Sequence, residues 1–280
     1  MNIDKALKNA KAILENGGSK SPSLDSEILM SKTLESNREY ILLNLRKNLE
    51  KKELDHFENL VLQRLKGRPI AYLIEKKEFW KYEFVTKKNI LIPRPDTETL
   101  IEEVSKLTKN KSNLRILDIG VGSGCILLSI LKEKKNFYGI GVDISKKCIS
   151  LSKTNAQKLG LINRVKFIQS DIDNFSNGKY DLIISNPPYI KKHCLKYLEK
   201  DVIGFEPILA LNGGLDGLSK IRKIILKSSE LIKKKGKFVL EINFDQRKEV
   251  RNLLEINGFY INRIVQDLAK NDRCIVSTKI

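Results

Sequence analysis

The sequence has few of the residues that build metal sites and disulfide frameworks. It contains four cysteines and two histidines among 280 residues. The cysteines lie far apart without a C-x-x-C pair, and neither histidine stands in a metal-ligand pattern. This pattern argues against a zinc site and against a disulfide scaffold. We therefore expect no bound metal, and a reducing cytoplasm as the compartment.

Long apolar runs are also absent. No stretch approaches the roughly 20 apolar residues that a membrane-spanning helix needs, and the first ten residues, MNIDKALKNA, lack the apolar core of a signal peptide. We therefore expect no association with a membrane. With 41% hydrophobic residues over 280 positions, the chain still has enough apolar side chains for one large or two moderate globular domains.

Acidic residues are scarce relative to basic ones. The chain has 34 acidic and 52 basic residues, which gives a formal net charge of +18. A basic face attracts nucleic acid. However, 40 of the basic residues are lysines, and they are spread along the whole chain among many asparagines and isoleucines. We interpret the charge as a composition bias, which does not by itself predict nucleic acid as a direct substrate.

The first 70 residues predict a small helical bundle. Apolar residues recur at helical spacing from Ile3 to Leu14, and the pattern stops at a pair of glycines. Further helices are predicted over 24–34, 38–45 and 50–66. Residues 71–96 are predicted to form a linker, with a β-hairpin built from Phe79, residues 82–85 and residues 90–92.

From residue 97 onward, helical and strand patterns alternate, which predicts a second domain over 97–280. Alternation of this kind favours an α/β fold with a doubly wound, mostly parallel, Rossmann-like sheet. Asp96 is the expected N-cap of the first helix. Strands are predicted at 115–118, 139–142, 165–169, 181–185 and 237–242, with an antiparallel edge strand at 273–277, and helices at 97–107, between the first four strands and at 218–233.

A glycine-rich loop follows the first of these strands. Gly120, Gly122 and Gly124 allow a sharp turn and a close approach of the backbone to a ligand, immediately before a helix. The spacing is G-x-G-x-G, whereas the dinucleotide fingerprint is G-x-G-x-x-G, so tight packing alone is an alternative explanation. The next strand ends at Asp143, whose carboxylate can accept hydrogen bonds from ribose hydroxyls or can instead cap the following helix.

Polar residues also end the next two strands. Asp171 follows the third strand, where its carboxylate can accept a hydrogen bond from an adenine amino group. The fourth strand must stop at Ser185, because the next residues are Asn186-Pro187-Pro188-Tyr189 and proline lacks the N–H that a sheet needs. An Asn-Pro pair alone can be a simple turn. Four successive strand ends with such residues, on one edge of a parallel sheet, favour a ligand site.

These residues resemble those of S-adenosylmethionine-dependent methyltransferases. The NPPY sequence resembles the signature of the branch that methylates a planar NH₂ group, either adenine N6 in nucleic acid or a glutamine amide in a protein. Four further blocks are similar to HemK-family release factor glutamine methyltransferases, and with the glycine loop and SNPPYI they cover most of residues 67–273. The blocks are GRPIAYLIEKKEFW, ILIPRPDTE, FEPILAL with GLDGL, and DLAKNDR.

The resemblance implies a fold, a reaction and a set of site residues. It implies a seven-stranded methyltransferase sheet, preceded by a helical domain that engages the protein substrate. The implied reaction transfers a methyl group from S-adenosylmethionine to N5 of the glutamine in the Gly-Gly-Gln loop of a class I release factor, leaving S-adenosylhomocysteine. The implied cofactor contacts are Gly120, Val121, Gly122, Ser123, Gly124, Asp143, Asp171, Ile172 and Asn186; Asn186, Pro187, Pro188 and Tyr189 hold the glutamine, and Asn186, Pro187 and Tyr189 are the implied catalytic residues.

Some positions depart from the family pattern. Glu75, Lys81 and Lys270 stand where glycine is frequent, which leaves the local backbone geometry open. Ile172 replaces an aromatic residue, so its contact with an adenine would be apolar without ring stacking. Arg94 is expected at the rim of the site, without an assigned contact.

Two alternative functions stay open at this point. An adenine N6-methyltransferase acting on RNA or DNA would share the NPPY sequence and suit the positive charge, but no basic recognition helix is apparent in the N-terminal region. A non-catalytic RNA- or ribosome-associated binding protein could keep the fold. The intact glycine loop, Asp143 and NPPY sequence argue against that second alternative.

Overall fold

The computed structural model describes all 280 residues. The chain forms two compact units, the first built from Met1–Lys76 and Glu199–Phe205, the second from Lys77–Leu198 and Glu206–Ile280. No helix combines the length and the apolar character that a membrane crossing requires. The helices are α1 Ile3–Asn16, α2 Pro22–Thr33, α3 Arg38–Leu43, α4 Lys51–Leu65, α5 Ile70–Ile74, α6 Glu98–Leu107, α7 Cys125–Glu133, α8 Lys146–Lys158, α9 Lys200–Phe205, α10 Ser219–Leu231 and α11 Arg247–Ile256, and the strands are β1 Lys76–Phe79, β2 Tyr82–Val85, β3 Arg115–Ile119, β4 Tyr138–Asp143, β5 Val165–Gln169, β6 Tyr180–Ser185, β7 Ile232–Glu241, β8 Phe259–Gln266 and β9 Asp272–Lys279.

The first unit is helical, and α1 to α4 lie where the apolar spacing predicts them. Their apolar faces meet in one core, because each helix alone would leave that face in water. A partly buried ion pair joins two of the helices: Arg64 Nε on α4 donates to Asp25 Oδ2 on α2 at 2.8 Å. The short helix α9 also belongs to this unit, and no sequence pattern predicted it.

The second unit contains a seven-stranded sheet in the order β5-β4-β3-β6-β7-β9-β8. The pairings among β3 to β7 are all parallel, and β9 is antiparallel to both of its neighbours. This confirms the predicted doubly wound, Rossmann-like class. Consecutive strands run outward from β3 to β5, and the chain then returns to place β6 on the other side of β3. The carboxyl ends of β3 and β6 therefore flank the crevice where such sheets bind ligands.

The antiparallel end of the sheet differs from the prediction. The last strand, β9, is antiparallel as expected but lies inside the sheet, and β8 is the true edge. Strand β8 was not predicted, because only Phe259 of its eight side chains is fully buried and the apolar pattern is therefore weak. Strand β7 begins at Ile232, so the helix predicted over 218–233 ends at Leu231.

Two predictions for the segment before α6 were wrong in detail. Residues 90–92 form a loop, so the hairpin consists of β1 and β2 alone. Asp96 is no N-cap, because Pro95 already starts a 3-10 turn over Pro95–Thr97 and α6 begins after it. The Asp96 carboxylate instead lies 3.4 Å from the Arg273 guanidinium on β9.

The left-handed backbone is retained at two positions where the family favours glycine. Glu75 has a φ of 60° and Lys270 a φ of 63°, while at the hairpin the positive φ of 57° falls on Trp80 and not on Lys81. A side chain in this region costs roughly 1–2 kcal/mol, because the Cβ crowds the following carbonyl oxygen. The turns therefore keep the shape that glycine would give, at a cost in stability.

Candidate active site

A cavity of about 230 Å³ opens at the carboxyl ends of β3, β4, β5 and β6. Its walls come from seven separate segments of the second unit. The prediction that four successive strand ends lie close together is therefore matched by a shared cavity. The lining residues include Asn89, Leu91, Gly120, Gly122, Asp143, Ser145, Cys148, Ser170, Asp171, Ile172, Asn186, Pro187, Pro188, Pro207, Leu209, Ala210, Lys220 and Lys223.

The glycine loop presents bare backbone to this cavity. Gly120 and Gly122 have φ values of 79° and 56°, which side chains rarely adopt. A Cβ built at Gly120 would meet no protein atom within 4 Å, so it would project into open space. The loop is fixed to the neighbouring strand, because the N–H groups of Gly120 and Val121 both donate to the Val142 carbonyl, at 2.8 and 3.0 Å.

Three other residues of the loop lie behind the cavity wall. Val121 is buried in the core, and the Ser123 carbonyl accepts a hydrogen bond from Asn155 Nδ2 at 2.9 Å. Gly124 is the N-cap of α7, where an added Cβ would come within 2.9 Å of the Leu128 side chain. None of the three lines the cavity, so their place in this structure is to shape the loop from behind.

Asp143 connects the glycine loop to the segment before α8. Its Oδ2 accepts the Gly122 N–H at 2.9 Å, and its Oδ1 accepts the Ser145 N–H at 2.9 Å. Burial raises the pKa of this carboxyl, while the two N–H donors oppose the shift. Each carboxylate oxygen has a second lone pair, so Asp143 can still accept hydroxyl donors from a ligand while it holds both backbone segments.

The third strand end places two more predicted residues in the cavity wall. Asp171 Oδ1 accepts the Asp173 N–H at 3.1 Å, which starts the 3-10 turn over Ile172–Asn174. Ile172 lines the cavity and also packs against the core beneath it. A carboxylate next to an apolar side chain is suited to the edge and face of a heteroaromatic ring.

The NPPY loop begins where β6 ends. Ser185 Oγ donates to the Ile119 carbonyl at 2.8 Å, which fixes the end of β6 against β3. Asn186 Nδ2 donates to Thr97 Oγ1 at 3.0 Å, and neither Asn186 Oδ1 nor the Pro187 carbonyl accepts a hydrogen bond from the protein. Two acceptors are therefore available on residues that line the cavity.

Comparison with known proteins assigns the chain to a family. Residues 5–74 match the PrmC N-terminal domain and residues 110–273 match a methyltransferase domain. A release factor glutamine methyltransferase of Clostridium acetobutylicum is 36% identical over 282 residues, which are 100% of this chain and 99% of the relative. This chain belongs to the release factor glutamine methyltransferase family. A member from Buchnera aphidicola is 37% identical, with 100% of both chains covered.

Two further comparisons show a relative that is only partly covered by this chain and a solved structure with low sequence identity. A bifunctional methyltransferase of Rickettsia felis is 34% identical over 99% of this chain but only 58% of its own length. Among solved structures, a ribosomal protein L11 methylase of Lactobacillus delbrueckii gives a TM-score of 0.50 at 18% identity, covering 67% of this chain and 81% of its own. At that identity the structural match shows the shared fold alone.

Tyr189, the last residue of the family's NPPY sequence, points away from the cavity wall. Its hydroxyl donates to Glu241 Oε1 on β7 at 3.2 Å, and its ring packs against the core. Its carbonyl accepts Gln246 Nε2 at 3.1 Å, and the same amide donates to the Gly217 carbonyl. In this structure Tyr189 anchors the loop from below and does not line the cavity.

One part of the cavity wall was not predicted from the sequence. It combines Leu91 with Leu209 and their neighbours. Glu206 holds the two segments together, accepting the Ile92 N–H at 3.2 Å and Arg94 Nη2 at 2.5 Å. This gives Arg94 the contact that the sequence left open. The only sequence signals were the ILIPRPDTE and FEPILAL blocks, which are more than 100 residues apart.

Asp118, which lies on β3 just before the glycine loop, was not predicted as a site residue. This side chain is 1% exposed, and neither of its carboxyl oxygens has a hydrogen-bond partner. Burial, and next the negative charge of Asp143, raise its pKa to about 8. Asp118 is therefore mainly protonated at neutral pH in the folded protein.

We expect Asp118→Asn to remove a pH dependence of stability. The carboxyl of Asp118 has a higher pKa in the folded protein than in the unfolded chain, so its protonation stabilises the fold. This stabilisation is complete at a pH below the pKa of the unfolded chain. That stabilisation decreases as the pH rises, until the folded pKa has been passed. Between pH 5 and 7, the free energy of unfolding of the unmutated protein should decrease by about 1.4 kcal/mol per pH unit relative to the variant.

Urea titrations followed by fluorescence would measure this difference. The single tryptophan, Trp80, lies in the second unit and reports on its unfolding. Asp245→Asn, at an exposed carboxyl of the same unit, is the matched control and should show no such difference. Parallel stability curves for the Asp118→Asn variant and the unmutated protein would show that Asp118 is ionised in the folded state.

Proposed function

We propose that this protein methylates N5 of the glutamine side chain in the Gly-Gly-Gln loop of class I peptide chain release factors. The observation that carries the substrate assignment is the similarity to release factor glutamine methyltransferases over the full length of the chain, at 36–37% identity. The availability of Asn186 Oδ1 and the Pro187 carbonyl at the cavity supports it, because a primary amide has two N–H donors.

S-adenosylmethionine is the proposed methyl donor, which would supply an electrophilic methyl group on a sulfonium centre, and the residues of the cavity wall suit it. The space beside Gly120 suits a ligand that approaches the backbone closely. Asp143 would accept the ribose hydroxyls, and Asp171 with Ile172 would contact the adenine. The five loop residues from Gly120 to Gly124 would contribute through Gly120 and Gly122, with the other three holding the loop in shape.

The proposed chemistry follows from the two free acceptors. An amide nitrogen is a poor nucleophile, because its lone pair is delocalised into the carbonyl group. Asn186 Oδ1 and the Pro187 carbonyl would accept both N–H bonds, which fixes the nitrogen and favours localisation of its lone pair as the new N–C bond forms. The nitrogen becomes strongly acidic only after this bond exists, so its extra proton can then leave to water and no prior base is needed.

The remaining assignments concern the partner and the compartment. The helical unit matches the PrmC N-terminal domain, and we propose that it engages the release factor, while the second unit carries out the transfer. Because release factors act in translation, we place the reaction in the cytoplasm. An adenine N6-methyltransferase of nucleic acid, or a non-catalytic binding protein, remains the alternative that the experiment must distinguish.

A competition experiment tests the proposed function. The purified protein is given methyl-labelled S-adenosylmethionine together with a class I release factor, the release factor with Gln→Ala in its Gly-Gly-Gln sequence, and adenine-containing RNA and DNA. We expect label on the unmutated release factor alone. Label on the nucleic acids would make the protein an adenine methyltransferase, and label on nothing would support the non-catalytic alternative.

A further inference from the structure

A short segment of the cavity wall, residues 206–211, is buried at its two ends and exposed between them. We call this segment the strap. Its end residues Glu206 and Leu211 are 5% and 8% exposed, whereas Ile208 and Leu209 in the middle are 58% and 57% exposed. The cavity-lining residues of the strap are Pro207, Leu209 and Ala210. Because the middle packs so little against the protein, it can move without unfolding the core.

The two ends of the strap are fixed in different ways. At the far end, the Leu211 carbonyl accepts the N–H of Ile190, the residue after the NPPY sequence, at 3.0 Å. At the near end, the Glu206 carboxylate accepts the Ile92 N–H at 3.2 Å and Arg94 Nη2 at 2.5 Å. The far anchor is a backbone hydrogen bond, whereas these contacts at the near end are made by one side chain. A substitution can therefore weaken the near end selectively.

The ion pair between Glu206 and Arg94 suits a contact that opens and closes. The Glu206 side chain is 1% exposed and the Arg94 side chain is 37% exposed. Burying a carboxylate has a desolvation cost, so a pair of apolar residues at such a place is often at least as stable. When the contact opens, however, charged groups become hydrated, whereas apolar groups would be exposed to water unfavourably. The ion pair therefore favours reversible opening over maximal stability.

We propose that Glu206 is a positioning residue that, together with Arg94, latches the strap over the bound cofactor. S-adenosylmethionine enters and S-adenosylhomocysteine leaves when this latch opens. Most of the other wall segments adjoin strand ends or belong to a helix, and the core of the second unit holds them in place. A ligand in the cavity would cover apolar surface of Leu209 and so favour the closed strap. The inference rests on the proposed cofactor.

The first test measures the rate constants of cofactor binding. The latch joins two protein groups, so it can form with and without a ligand, and entry and release both pass through the open form. We expect Glu206→Gln and Arg94→Met each to raise kon and koff for S-adenosylhomocysteine by about 5- to 30-fold, with Kd changing by less than about threefold. Binding and chase experiments with radiolabelled S-adenosylhomocysteine measure both rate constants.

The double variant separates the latch from effects on stability. Arg94→Met leaves the buried Glu206 carboxylate without its cation, so this variant should also unfold at lower urea concentration. When Glu206→Gln is added, the glutamine oxygen can still accept the Ile92 N–H without a buried charge, so stability should return towards the unmutated value. The rate constants should nevertheless stay as high as in the faster single variant, because both changes break the same contact.

The matched control is Arg251→Met. Arg251 Nε donates to Glu255 Oε1 at 2.9 Å in an exposed ion pair outside the cavity wall, so its loss should change neither rate constant. Three results would overturn the inference: rate constants unchanged in both single variants, an increase in koff alone with an equal loss of affinity, or a double variant whose rate constants return together with its stability. In the last two cases Glu206 would only support the wall.

A failure of the proposed function gives a different result. The unmutated protein would then bind S-adenosylhomocysteine, with the latch variants changing its rate constants as expected, but would transfer no methyl group to the release factor. If the unmutated protein did not bind S-adenosylhomocysteine at all, both the proposed function and the latch would be wrong.

Discussion

Replacing Asn186 by alanine should lower kcat by about 10²- to 10³-fold while leaving cofactor affinity partly intact. The estimate follows from the loss of one preorganised group that acts on the reacting atoms in the transition state. Asn186 Oδ1 is the proposed side-chain acceptor for the reacting amide, and the Asn186 side chain makes one hydrogen bond to the protein, from Nδ2 to Thr97. The measurement is single-turnover methyl transfer to a release factor at saturating S-adenosylmethionine, with the Kd of the cofactor measured by calorimetry.

Asn110→Ala provides the matched control for this experiment. Asn110 belongs to the same unit, is exposed in the turn after α6, and lies outside the cavity wall. It should transfer methyl groups at the unmutated rate. If Asn186→Ala also retained that rate under saturating conditions, the amide would have no role in holding the reacting nitrogen.

Replacing Asp143 by alanine should weaken the binding of S-adenosylmethionine by about 10- to 100-fold. Hydrogen bonds to a charged group are worth roughly 1.5–3 kcal/mol, which corresponds to this range. The change removes the proposed acceptor for the ribose hydroxyls and also the carboxylate that holds the Gly122 and Ser145 N–H groups. Loosening of the glycine loop would act in the same direction.

Calorimetric titration with S-adenosylmethionine and with S-adenosylhomocysteine measures the combined loss of affinity from the missing acceptor and the loosened loop. Asp143→Asn keeps one acceptor oxygen at the same place, so its affinity should lie between those of the alanine variant and the unmutated protein. Asp245→Ala, at an exposed carboxyl outside the cavity, should bind both ligands normally. Unchanged affinity in Asp143→Ala would remove this carboxylate from the ribose.

Local sequence signals were sufficient to predict the parallel strands of the sheet and the residues near which these strands end. The end of β6 was predicted at Ser185, where the structure has it, because two prolines cannot continue a ladder. Alternation of helices and strands was also sufficient for the fold class. The edge strand β8 was missed, because an exposed edge needs little apolar surface and so leaves a weak pattern.

The sequence by itself determined which chemical groups meet at the carboxyl edge of the sheet. Local sequence is enough to predict where these strands end and which residues follow them. Those residues are glycines, acids at two strand ends, and an amide followed by prolines. The contacts that orient these groups were decided by the tertiary structure alone. Glu206 meets Arg94, Thr97 meets Asn186, and Glu241 meets Tyr189 across 112, 89 and 52 residues. Such partners are set by the packing of distant segments and by burial, which no local pattern encodes.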